Sequence, residues 1–596
     1  MRNTISGAVL VSTVILTTPL TTLASEEDTL DPVVVTASKQ PQLVSETLAS
    51  VTVIDRQQIE RSHAADISDL LRFHAGLDVA RSGGPGQQTS LFMRGTNSDH
   101  TLVMIDGVRI NAASSGAAPW ERLRPHQIER IEVVRGPRSA THGSDAIGGV
   151  VNIITRKPEE TGYFEAEAGG GRYDTYEASV SGGVRGENAY FGLGLDYFET
   201  EGFPVRPDEN ENRGSDNTTL TLNGGGQLGP VALDAGYRLT QGNIEYSTFT
   251  GAADQDFRNQ VARLALSGSP TDRWFSKLST AWMEDDLEQN QSDQFVRTRR
   301  TTADWQNDLV ISPAYTLTLG AYGEHEEVKS DSFDVFDESI DNWAVYAENT
   351  LDSGLHRTVL AARYYDHENF GDHTTWNLEY SYQIEPGTRF SAGVGTAFKV
   401  PTAGERFGNL GNPDVGPETS RNYELGMHHR INPRSVLTLS LFQNEIEDLI
   451  QCWPDPCENL SEARIRGLEA GYQLHTGDWR LRAEGILQDP ENRETGDVLA
   501  RRAKQALSLS ASRDIGMHWF SVDGLLRGGS EDFGGSLGGF GLLNAAAGYH
   551  ISPRWNLRLR AENLLDTDYE TAHAAADVPY NNPGRSLFAT LRFNTP

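Results

Sequence analysis

The chain has 596 residues, and its 51 Lys and Arg residues stand against 83 Asp and Glu residues, which gives a formal net charge of −32 at pH 7. This balance argues against a nucleic-acid-binding protein, which needs Lys and Arg to neutralise phosphates; it suits a surface that collects divalent cations, or a plain solvated face. The mean hydropathy of −0.47 fits a soluble secreted protein and equally a membrane β-barrel, in which lipid-facing and lumen-facing residues alternate.

The N-terminus has the pattern of a secretory signal peptide. Arg2 supplies a positive charge, an apolar stretch runs from about Ile5 to Leu20, and small residues suited to a signal peptidase end at Ala24. We therefore predict a signal peptide over residues 1–24. A transmembrane anchor is the alternative, but the apolar run is short and is interrupted by Thr, Ser and Pro.

The chain has two cysteines, Cys452 and Cys457, with two prolines between them. Disulfides persist in the compartments that exported proteins reach, and this pair can close a small loop. A zinc site is the alternative, but two thiols without nearby histidines make a poor zinc site. We therefore favour a disulfide between the two cysteines.

Composition changes near residue 160. Residues 25–45 form a polar tail with one β-branched run, and residues 46–157 have the element pattern of a compact α+β domain. Asp66 is predicted to cap a short amphipathic helix that extends to Leu71. Strands are predicted at Val51–Ile54, Thr101–Ile105, Ile128–Val134 and Gly149–Thr155, with a turn at Asp106 and Gly107.

Residues 158–596 contain short strands that recur without a helical period. Phe191, Leu193, Leu195 and Tyr197, for example, alternate with small or polar residues. A period of two gives each strand one apolar face and one more polar face. A soluble β-sandwich has the same alternation, so this pattern alone leaves two classes open.

The connections between these strands favour a membrane barrel. Residues 432–435 and 552–555 form tight turns, whereas residues 408–419, 452–461 and 566–584 are long and polar. Membrane barrels have short periplasmic turns, long extracellular loops and aromatic residues near their strand ends, and all three features occur here. Roughly 435 residues at ~20 residues per strand and connection predict about 22 antiparallel strands. A barrel of that size has a lumen wide enough to need a plug.

Four motifs in residues 46–157 carry a resemblance to a known family. They are FMRGT at 92–96, MIDGV at 104–108, IEVVRGP at 131–137 and GSDAIGGVVNIIT at 143–155. This region resembles the plug domain of the TonB-dependent receptors of the Gram-negative bacterial outer membrane. The resemblance implies an all-β transmembrane barrel of about 22 strands, with an α+β plug inside its lumen. It also implies import of a large, scarce ligand by a monomer embedded in outer-membrane lipid, with energy supplied by TonB and the ExbB and ExbD proteins.

The β-branched run in the polar tail is similar to the TonB box of this family. Such a run can add as a strand to the sheet of a partner, and its backbone hydrogen bonds then give mechanical grip. An ordinary edge strand of the plug is the alternative; the position between a signal peptide and a plug favours the TonB box. We call it the coupling segment, and it consists of Asp31, Pro32, Val33, Val34, Val35, Thr36 and Ala37.

Three arginines, Arg94, Arg135 and Arg138, lie in or beside the plug motifs. The plug must sit inside a polar lumen, so we expect these side chains to form salt bridges with carboxylates of the barrel wall. Such contacts would hold the closed state and yield during transport. The alternative is that they are plain surface charges.

Within the family, the resemblance is closest to receptors for cobalamin. Residues 95–111 and 135–146 of the plug carry it, and so do barrel motifs at residues 397–402, 417–425 and 562–569. It implies that the ligand is cobalamin or a related corrinoid. The barrel motifs specify the wider family better than the ligand, so a receptor for a ferric siderophore, haem or a glycan is the alternative.

The same resemblance places two apical plug loops, residues 82–90 and 111–120, against the ligand. Both loops are rich in Gly and Ser and carry amide and hydroxyl groups, which suit a large neutral ligand with a rim of amides. A ferric siderophore site would more often use Arg, Lys or an aromatic cluster. The predicted ligand-binding residues are Ser82, Gln87, Gln88, Thr89, Ser90, Asn111, Ser114, Ser115 and Trp120.

The resemblance further implies calcium ions that order the extracellular loops beside the ligand. Calcium needs several carboxylates in one or two loops. The predicted ligands are Asp208, Asp216, Asp254 and Asp256. Solvated charges without a metal are the alternative meaning of these residues.

The sequence contains no nucleophile elbow, phosphate loop or zinc-ligand spacing. We therefore predict that the protein is not an enzyme and uses no catalytic cofactor. A passive porin or an adhesin is a further alternative, and the coupling segment and the plug argue against it.

Overall fold

The computed structural model describes residues 33–595 apart from residues 35, 63, 160–161, 249–250, 293, 333–334, 453–455, 460–461, 533–534 and 577. The predicted signal peptide and three residues of the coupling segment, Asp31, Pro32 and Val35, lie outside the described residues. All the described residues belong to one compact unit, residues 32–596.

The N-terminal part of this unit is the α+β domain that the sequence predicts. Numbered along the chain, its strands are β1 Val33–Val34, β2 Gln42–Leu43, β3 Val51–Ile54, β4 Leu77–Arg81, β5 Thr89–Met93, β6 Thr101–Ile105, β7 Val108–Arg109, β8 Ile128–Arg135 and β9 Gly149–Thr155. Its helices are α1 Arg56–Arg61, α2 Ile67–Leu71 and α3 Ser139–His142, with 3-10 turns at Val44–Glu46, Ser98–His100 and Trp120–Arg122. The central sheet has five strands in the order β3-β8-β9-β6-β7, in which only the β6 and β9 pair is parallel.

The plug forms these elements for reasons that can be read from its residues. The side chain of Asp66 accepts a hydrogen bond from the backbone N–H of Asp69, so it caps α2 as predicted. The central strands are rich in Val and Ile and are buried on both faces, and Ile131, Val133 and Val151 are fully buried in the main core cluster.

The rest of the chain forms a closed antiparallel barrel of 22 strands, which confirms the predicted fold class. Its strands are β10 Tyr163–Gly171, β11 Thr175–Arg185, β12 Ala189–Phe203, β13 Arg213–Leu228, β14 Val231–Thr248, β15 Gly251–Thr271, β16 Trp274–Gln289, β17 Gln294–Ser312, β18 Tyr315–Asp331, β19 Val335–Ser353, β20 His356–His367, β21 Gly371–Glu385, β22 Thr388–Lys399, β23 Glu418–Asn432, β24 Ser435–Glu447, β27 Glu462–Thr476, β28 Trp479–Asn492, β29 Gln505–Ile515, β30 His518–Arg527, β33 Phe540–Ser552, β34 Trp555–Glu562 and β37 Ser586–Asn594. The first and last of these strands, β10 and β37, pair with each other and close the barrel.

The barrel strands place apolar side chains outwards and polar side chains in the lumen. On β12, Leu195 is 48% exposed on the outer surface, whereas the next residue, Asp196, is 1% exposed inside. The period-two pattern of the sequence therefore separates a lipid-facing surface from a polar lumen. Within the described part of the chain, no helix has the length and apolar character to cross a membrane.

The two ends of the barrel differ in the length of their connections. Two-residue turns such as 433–434 and 553–554 join strands at one end, which we take as the periplasmic end. Long connections at the other end include residues 400–417, 448–461 and 563–585, as predicted. They contain the helix α4 Ala403–Phe407 and three small hairpins, β25 Ile450–Gln451 with β26 Glu458–Asn459, β31 Ser530–Asp532 with β32 Gly535–Leu537, and β35 His573–Ala575 with β36 Val578–Pro579.

A substitution at Gly149 can test how closely the strands of the plug sheet are packed. Its φ is +148°, and a Cβ atom there would lie 2.2 Å from the carbonyl oxygen of Val134. Gly107 also has a positive φ, +85°, but its Cβ would meet nothing within 4 Å. We expect Gly149→Ala to lower the apparent melting temperature of the detergent-purified protein more than Gly107→Ala, because both variants carry the backbone strain of about 1–3 kcal/mol but only the first also clashes. Equal shifts in the two variants would contradict this account.

Candidate functional site

The described part of the coupling segment lies on the periplasmic side of the plug. β1 pairs antiparallel with β2, so that Val34 lies opposite Gln42. The side chain of Val34 is fully buried and packs in one cluster with Ala37 and Val134. The segment is therefore docked on the plug in this structure, as one strand of a two-stranded sheet that is separate from the five-stranded plug sheet.

Thr36 is the residue through which the segment is bound most closely. Its backbone N–H and its hydroxyl both donate to a carboxylate oxygen of Glu132, at 3.1 and 2.6 Å. The amide of Asn152 donates to the Thr36 hydroxyl at 3.0 Å, and Nε2 of His142 donates to the Thr36 carbonyl at 2.8 Å. Burial and the nearby charge of Lys39 lower the pKa of His142 to about 3, so the ring is neutral at physiological pH.

The residues that follow the segment attach to the barrel wall. The Lys39 ammonium lies 3.3 Å from the carboxylate of Asp304 and 4.5 Å from the centre of the Tyr346 ring. Arg389 of the wall donates to the backbone carbonyls of Ser45 and Thr47. Both the plug and the wall therefore hold the start of the described chain.

The three predicted arginines bind the plug to the barrel wall. Arg94 contacts Glu424 at 3.2 Å and Glu469 at 2.6 Å, and Arg135 contacts the same Glu469 at 3.5 Å. Arg138 contacts a further wall carboxylate, Glu379, at 2.6 Å. These contacts confirm the prediction that the arginines form salt bridges with the wall.

A second ionic contact lies on the opposite part of the wall, near the seam of the barrel. His126 of the plug lies 2.9 Å from Asp196 and 3.1 Å from Glu167. Arg558 and Arg592 also bind Glu167, at 2.8 and 2.7 Å. Burial alone would lower the pKa of His126, but the two carboxylates outweigh it and raise the pKa to about 9.

The predicted ligand residues divide into two groups by exposure. Gln88 and Ser115 are exposed and Ser82, Ser90 and Ser114 are half-buried, so these five are open to a ligand from the long-loop end of the barrel, a space that we call the extracellular vestibule. The buried members of the set are Gln87, Thr89, Asn111 and Trp120.

The four buried residues hold the apical loops in shape. Gln87 donates to the backbone carbonyl of Glu245 at 2.6 Å, and Thr89 donates to the Gln87 carbonyl at 2.9 Å. Asn111 bonds to backbone groups on both sides of its loop, and Trp120 is fully buried in the plug core. In this conformation they position the loops rather than face the vestibule.

Sequence reasoning missed three candidate ligand residues on the wall. Tyr246 donates to the amide of Gln289, which in turn donates to Gln255 at 3.0 Å. They share the face of their strands with the buried residues Ile244, Phe257 and Met283, so they face the lumen. Because Ile244 lies beside Gly86 of the first apical loop, this cluster lines the vestibule just above the plug. Two features of the sequence could have indicated this cluster: the alternation of lumen-facing and outward-facing residues along each strand, and the short distance of these residues from the long loops.

The four predicted calcium ligands do not form one site. Asp216, Asp254 and Asp256 gather around Asn243, whose amide donates to Asp254 at 3.1 Å and to Asp256 at 2.7 Å and whose backbone N–H donates to Asp216 at 3.3 Å. Asp208 lies apart and contacts Arg206 at 3.5 Å. The strand parity of the three gathered aspartates is opposite to that of the lumen-facing residues, so they face the outside of the barrel.

Among the described residues, only His126, Glu167 and Glu177 bring three metal-binding side-chain atoms within 4.8 Å of one another. Their carboxylates are already neutralised by arginines, and a histidine is a poor calcium ligand. The residues therefore do not fit a calcium site as they are placed here.

Cys452 and Cys457 form a disulfide. It closes the hairpin of β25 and β26, which packs on the extracellular loop of residues 400–417. The backbone N–H of Cys457 donates to the Leu410 carbonyl at 2.6 Å, and the amide of Asn412 donates to the Cys457 carbonyl at 3.0 Å.

Comparison with known proteins agrees with this geometry. The family described as "TonB dependent receptor-like, beta-barrel" matches residues 163–564, and the family described as "TonB-dependent Receptor Plug Domain" matches residues 44–150. The chain belongs to the TonB-dependent receptor family. This receptor is therefore a protein of the Gram-negative outer membrane, in a family of transporters and receptors that depend on TonB and take up a ligand.

Two curated relatives match the receptor over nearly its whole length. The vitamin B12 transporter BtuB of Vibrio vulnificus is 30% identical, and the match covers 97% of this chain and 98% of the relative. BtuB of Photobacterium profundum is also 30% identical, over 96% of this chain and 97% of the relative.

Similar solved structures include two siderophore receptors. A mutant of the ferric enterobactin receptor PfeA of Pseudomonas aeruginosa has a TM-score of 0.80 and 17% identity, and the match covers 95% of this chain and all of that chain. The siderophore receptor PirA of Acinetobacter baumannii has a TM-score of 0.78 and 19% identity, over 91% of this chain and 98% of that chain. At these identities the likeness shows the fold alone.

The salt bridges of Arg94 are expected to hold the plug in the barrel and so to keep the barrel closed to ions. Arg94→Met leaves the buried Glu424 without its cation and leaves Glu469 with Arg135 alone, at 3.5 Å. Breaking a buried pair in this way costs about 3–5 kcal/mol. We expect a larger ion conductance of the variant in planar lipid bilayers, because the plug is held less tightly. Arg466→Met is the matched control, since Arg466 pairs with Asp489 on the outer side of the barrel. Equal conductance of the two variants would refute the role of Arg94.

His126 predicts a pH dependence of stability. Its folded-state pKa of about 9 exceeds the unfolded value of ~6.5, so its contribution is complete below pH 6.5 and is lost as the pH rises through 9. A shift of this size is equivalent to about 3 kcal/mol. We expect the melting temperature of the receptor in detergent to fall between pH 7 and 9.5, and to fall less in His126→Gln. Parallel curves for the two proteins would contradict this assignment.

Proposed function

We propose that the receptor imports cobalamin or a related corrinoid across the outer membrane, with energy delivered by TonB through the coupling segment. The observation that carries this proposal is the neutral, hydrogen-bonding character of the vestibule. Its floor carries the side chains of Gln88 and Ser115, and its wall carries Tyr246, Gln255 and Gln289. A large ligand with a rim of amides can pair with such groups without a counter-charge.

Three arginines near the vestibule are paired with carboxylates. Arg206, Arg213 and Arg406 belong to or adjoin the extracellular loops, and each contacts a carboxylate. Their partners are Glu209 at 2.6 Å, Glu211 at 3.4 Å and Glu338 at 3.9 Å, respectively. An anionic ferric siderophore would have to compete with these carboxylates, which favours a neutral ligand.

The coupling segment supports the second half of the proposal. It is docked by a short antiparallel pairing and by the hydrogen bonds of Thr36, both of which a partner strand can replace. Ligand binding is proposed to shift the plug so that the segment becomes free for TonB, which biases an equilibrium between docked and released states. The 30% identity to the BtuB transporters over nearly the full chain agrees with this ligand and this mechanism.

The ligand is tested by titrating the purified receptor with cyanocobalamin and, separately, with ferric enterobactin. We expect saturable binding of cyanocobalamin and binding weakened by roughly five- to 150-fold in Gln255→Ala/Gln289→Ala, because two amide contacts at about 0.5–1.5 kcal/mol each are lost. Gln443→Ala is the control, since Gln443 bonds to Glu445 on the outer side of the barrel. Saturation by ferric enterobactin alone would show that the receptor takes a siderophore instead.

The role of the coupling segment in uptake is tested by deleting it. Deleting residues 31–37 is expected to abolish uptake of labelled cyanocobalamin by cells while leaving its binding to the purified protein intact. Glu27→Ala, in the tail before the segment, is expected to leave uptake unchanged. Normal uptake by the deletion variant would overturn the proposed mechanism.

A further inference from the structure

The one-turn helix α3 touches the barrel wall at one end and the coupling segment at the other. At its first residue, the hydroxyl of Ser139 accepts a hydrogen bond from the backbone N–H of Phe398 at 3.4 Å. At its last residue, His142 donates to the Thr36 carbonyl at 2.8 Å. The two ends are joined by the turn itself, in which the N–H of Gly143 donates to the Ser139 carbonyl at 2.9 Å.

The wall segment that touches α3 is bound to the plug at two further points. The N–H of Asp145 donates to the Phe398 carbonyl at 3.2 Å, and the N–H of Val400 donates to the hydroxyl of Ser144 at 3.3 Å. Phe398 is 1% exposed, and its ring stacks on that of His373 at 4.7 Å. A displacement of residues 398–400 must therefore be transmitted to α3, because the two are closely packed and directly hydrogen-bonded.

The same segment continues into the extracellular loop of residues 400–417, and this loop is bound to the second apical loop of the plug. The N–H groups of Ala403 and Gly404 donate to the carbonyls of Ala113 and Ser114, at 3.1 and 2.9 Å. A Cβ atom on Gly404 would lie 2.5 Å from the Ser114 carbonyl oxygen. The two loops thus lie in close contact beside Ser115, a predicted ligand residue.

Lys399 ties these parts together at the point where β22 becomes the loop. Its side chain is fully buried and contacts three carboxylates: Asp99 of the plug at 2.9 Å, Glu405 of α4 at 3.0 Å, and Glu418 of β23 at 3.7 Å. The fully buried His100 of the plug binds the same Glu418. The loop, the wall strands and the apex of the plug are therefore held to one another by a shared set of charges.

We propose that α3 is the link through which the extracellular loop 400–417 controls the coupling segment, with Ser139 and Ser144 as positioning residues on the wall side and His142 on the side of Thr36. A ligand that displaces the contact between residues 403–404 and 113–114 would move residues 398–400, shift α3 and weaken its hold on Thr36. The link rests on the proposed coupling role of residues 31–37. Because a coupling between two sites is reciprocal, release of the segment also changes ligand affinity.

The link can be tested without any ligand, by hydrogen–deuterium exchange of the full-length receptor in detergent. Gly404→Ala forces the two loops apart, and we expect the amides of residues 36–40 to exchange about three- to tenfold faster, as for the loss of about one hydrogen bond. Gly416→Ala lies in the same loop, but its Cβ would meet nothing closer than 4.0 Å, so we expect wild-type exchange. Wild-type exchange in Gly404→Ala would overturn the proposal.

A double-mutant cycle identifies α3 as the route. Ser139→Ala/Ser144→Ala removes both hydroxyl contacts with residues 398–400 and leaves the backbone contact of Asp145 with Phe398. In that background Gly404→Ala is expected to have a clearly smaller effect on exchange at residues 36–40. Ser139→Thr retains the hydroxyl. In the variant that has wild-type Ser144, it is expected to restore the full effect of Gly404→Ala on exchange at residues 36–40. An equally large effect of Gly404→Ala in both backgrounds would show that the signal bypasses α3.

A second measurement separates this proposal from the proposed ligand. Cyanocobalamin binding and exchange at residues 36–40 are measured on the same wild-type sample. Binding without faster exchange would refute the link, whereas absence of binding would refute only the corrinoid, since the Gly404 cycle needs no ligand. Folding of each variant is checked by its barrel circular dichroism and its yield.

Discussion

A closed barrel of 22 strands encloses a lumen that its own side chains cannot fill. The plug fills this lumen, and the rest of the structure depends on the contact between the plug and the barrel wall. The contact combines apolar clusters, such as Phe73 of the plug with Leu525 and Leu542 of the wall, with buried ionic contacts that an ordinary domain core rarely has. Arg94, Arg135 and Arg138 bind wall carboxylates on one part of the wall, and His126 binds Asp196 and Glu167 on another. Buried ion pairs contribute little net stability but are costly to break singly.

This kind of interface suits a plug that must hold and then yield. An apolar interface of the same area would gain stability from burial at every point, and it would expose apolar surface to water when the plug moved. Ion pairs and hydrogen bonds with the wall can instead be exchanged for water or for new partners. Thr36 shows the same principle on a small scale, because each of its four hydrogen bonds has a polar partner that water can also satisfy.

Much of the fold was readable from local patterns. The strands at Thr101–Ile105 and Gly149–Thr155, the cap at Asp66, the alternation of β12 and the two classes of connection each depend on neighbours in the chain, and all were confirmed. The three arginines were also correctly assigned to the wall, although their individual carboxylate partners lie more than 200 residues away along the chain. Those partners were beyond sequence reasoning because long-range pairs follow from how the plug is oriented in the barrel.

The candidate site was predicted less completely. Asn111 and Trp120 have the residue types of a ligand loop, and only the structure shows them bonded or buried within the plug. Tyr246, Gln255 and Gln289 were missed because they come from three different strands and become one cluster only through strand pairing. The four aspartates have the residue type of calcium ligands but do not form one site, since Asp208 lies apart from the other three.

The sequence by itself determined the class of the protein: an outer-membrane receptor with a plug and a barrel of alternating strands. These properties are encoded in period, composition and order along the chain, which need no tertiary contact. Only the tertiary structure decided which side chains face the vestibule, which carboxylates hold the plug, and that α3 lies between Phe398 of the wall and Thr36 of the coupling segment. Those facts depend on the register of the strands and on the orientation of one domain inside another, and neither is written in any local stretch of residues.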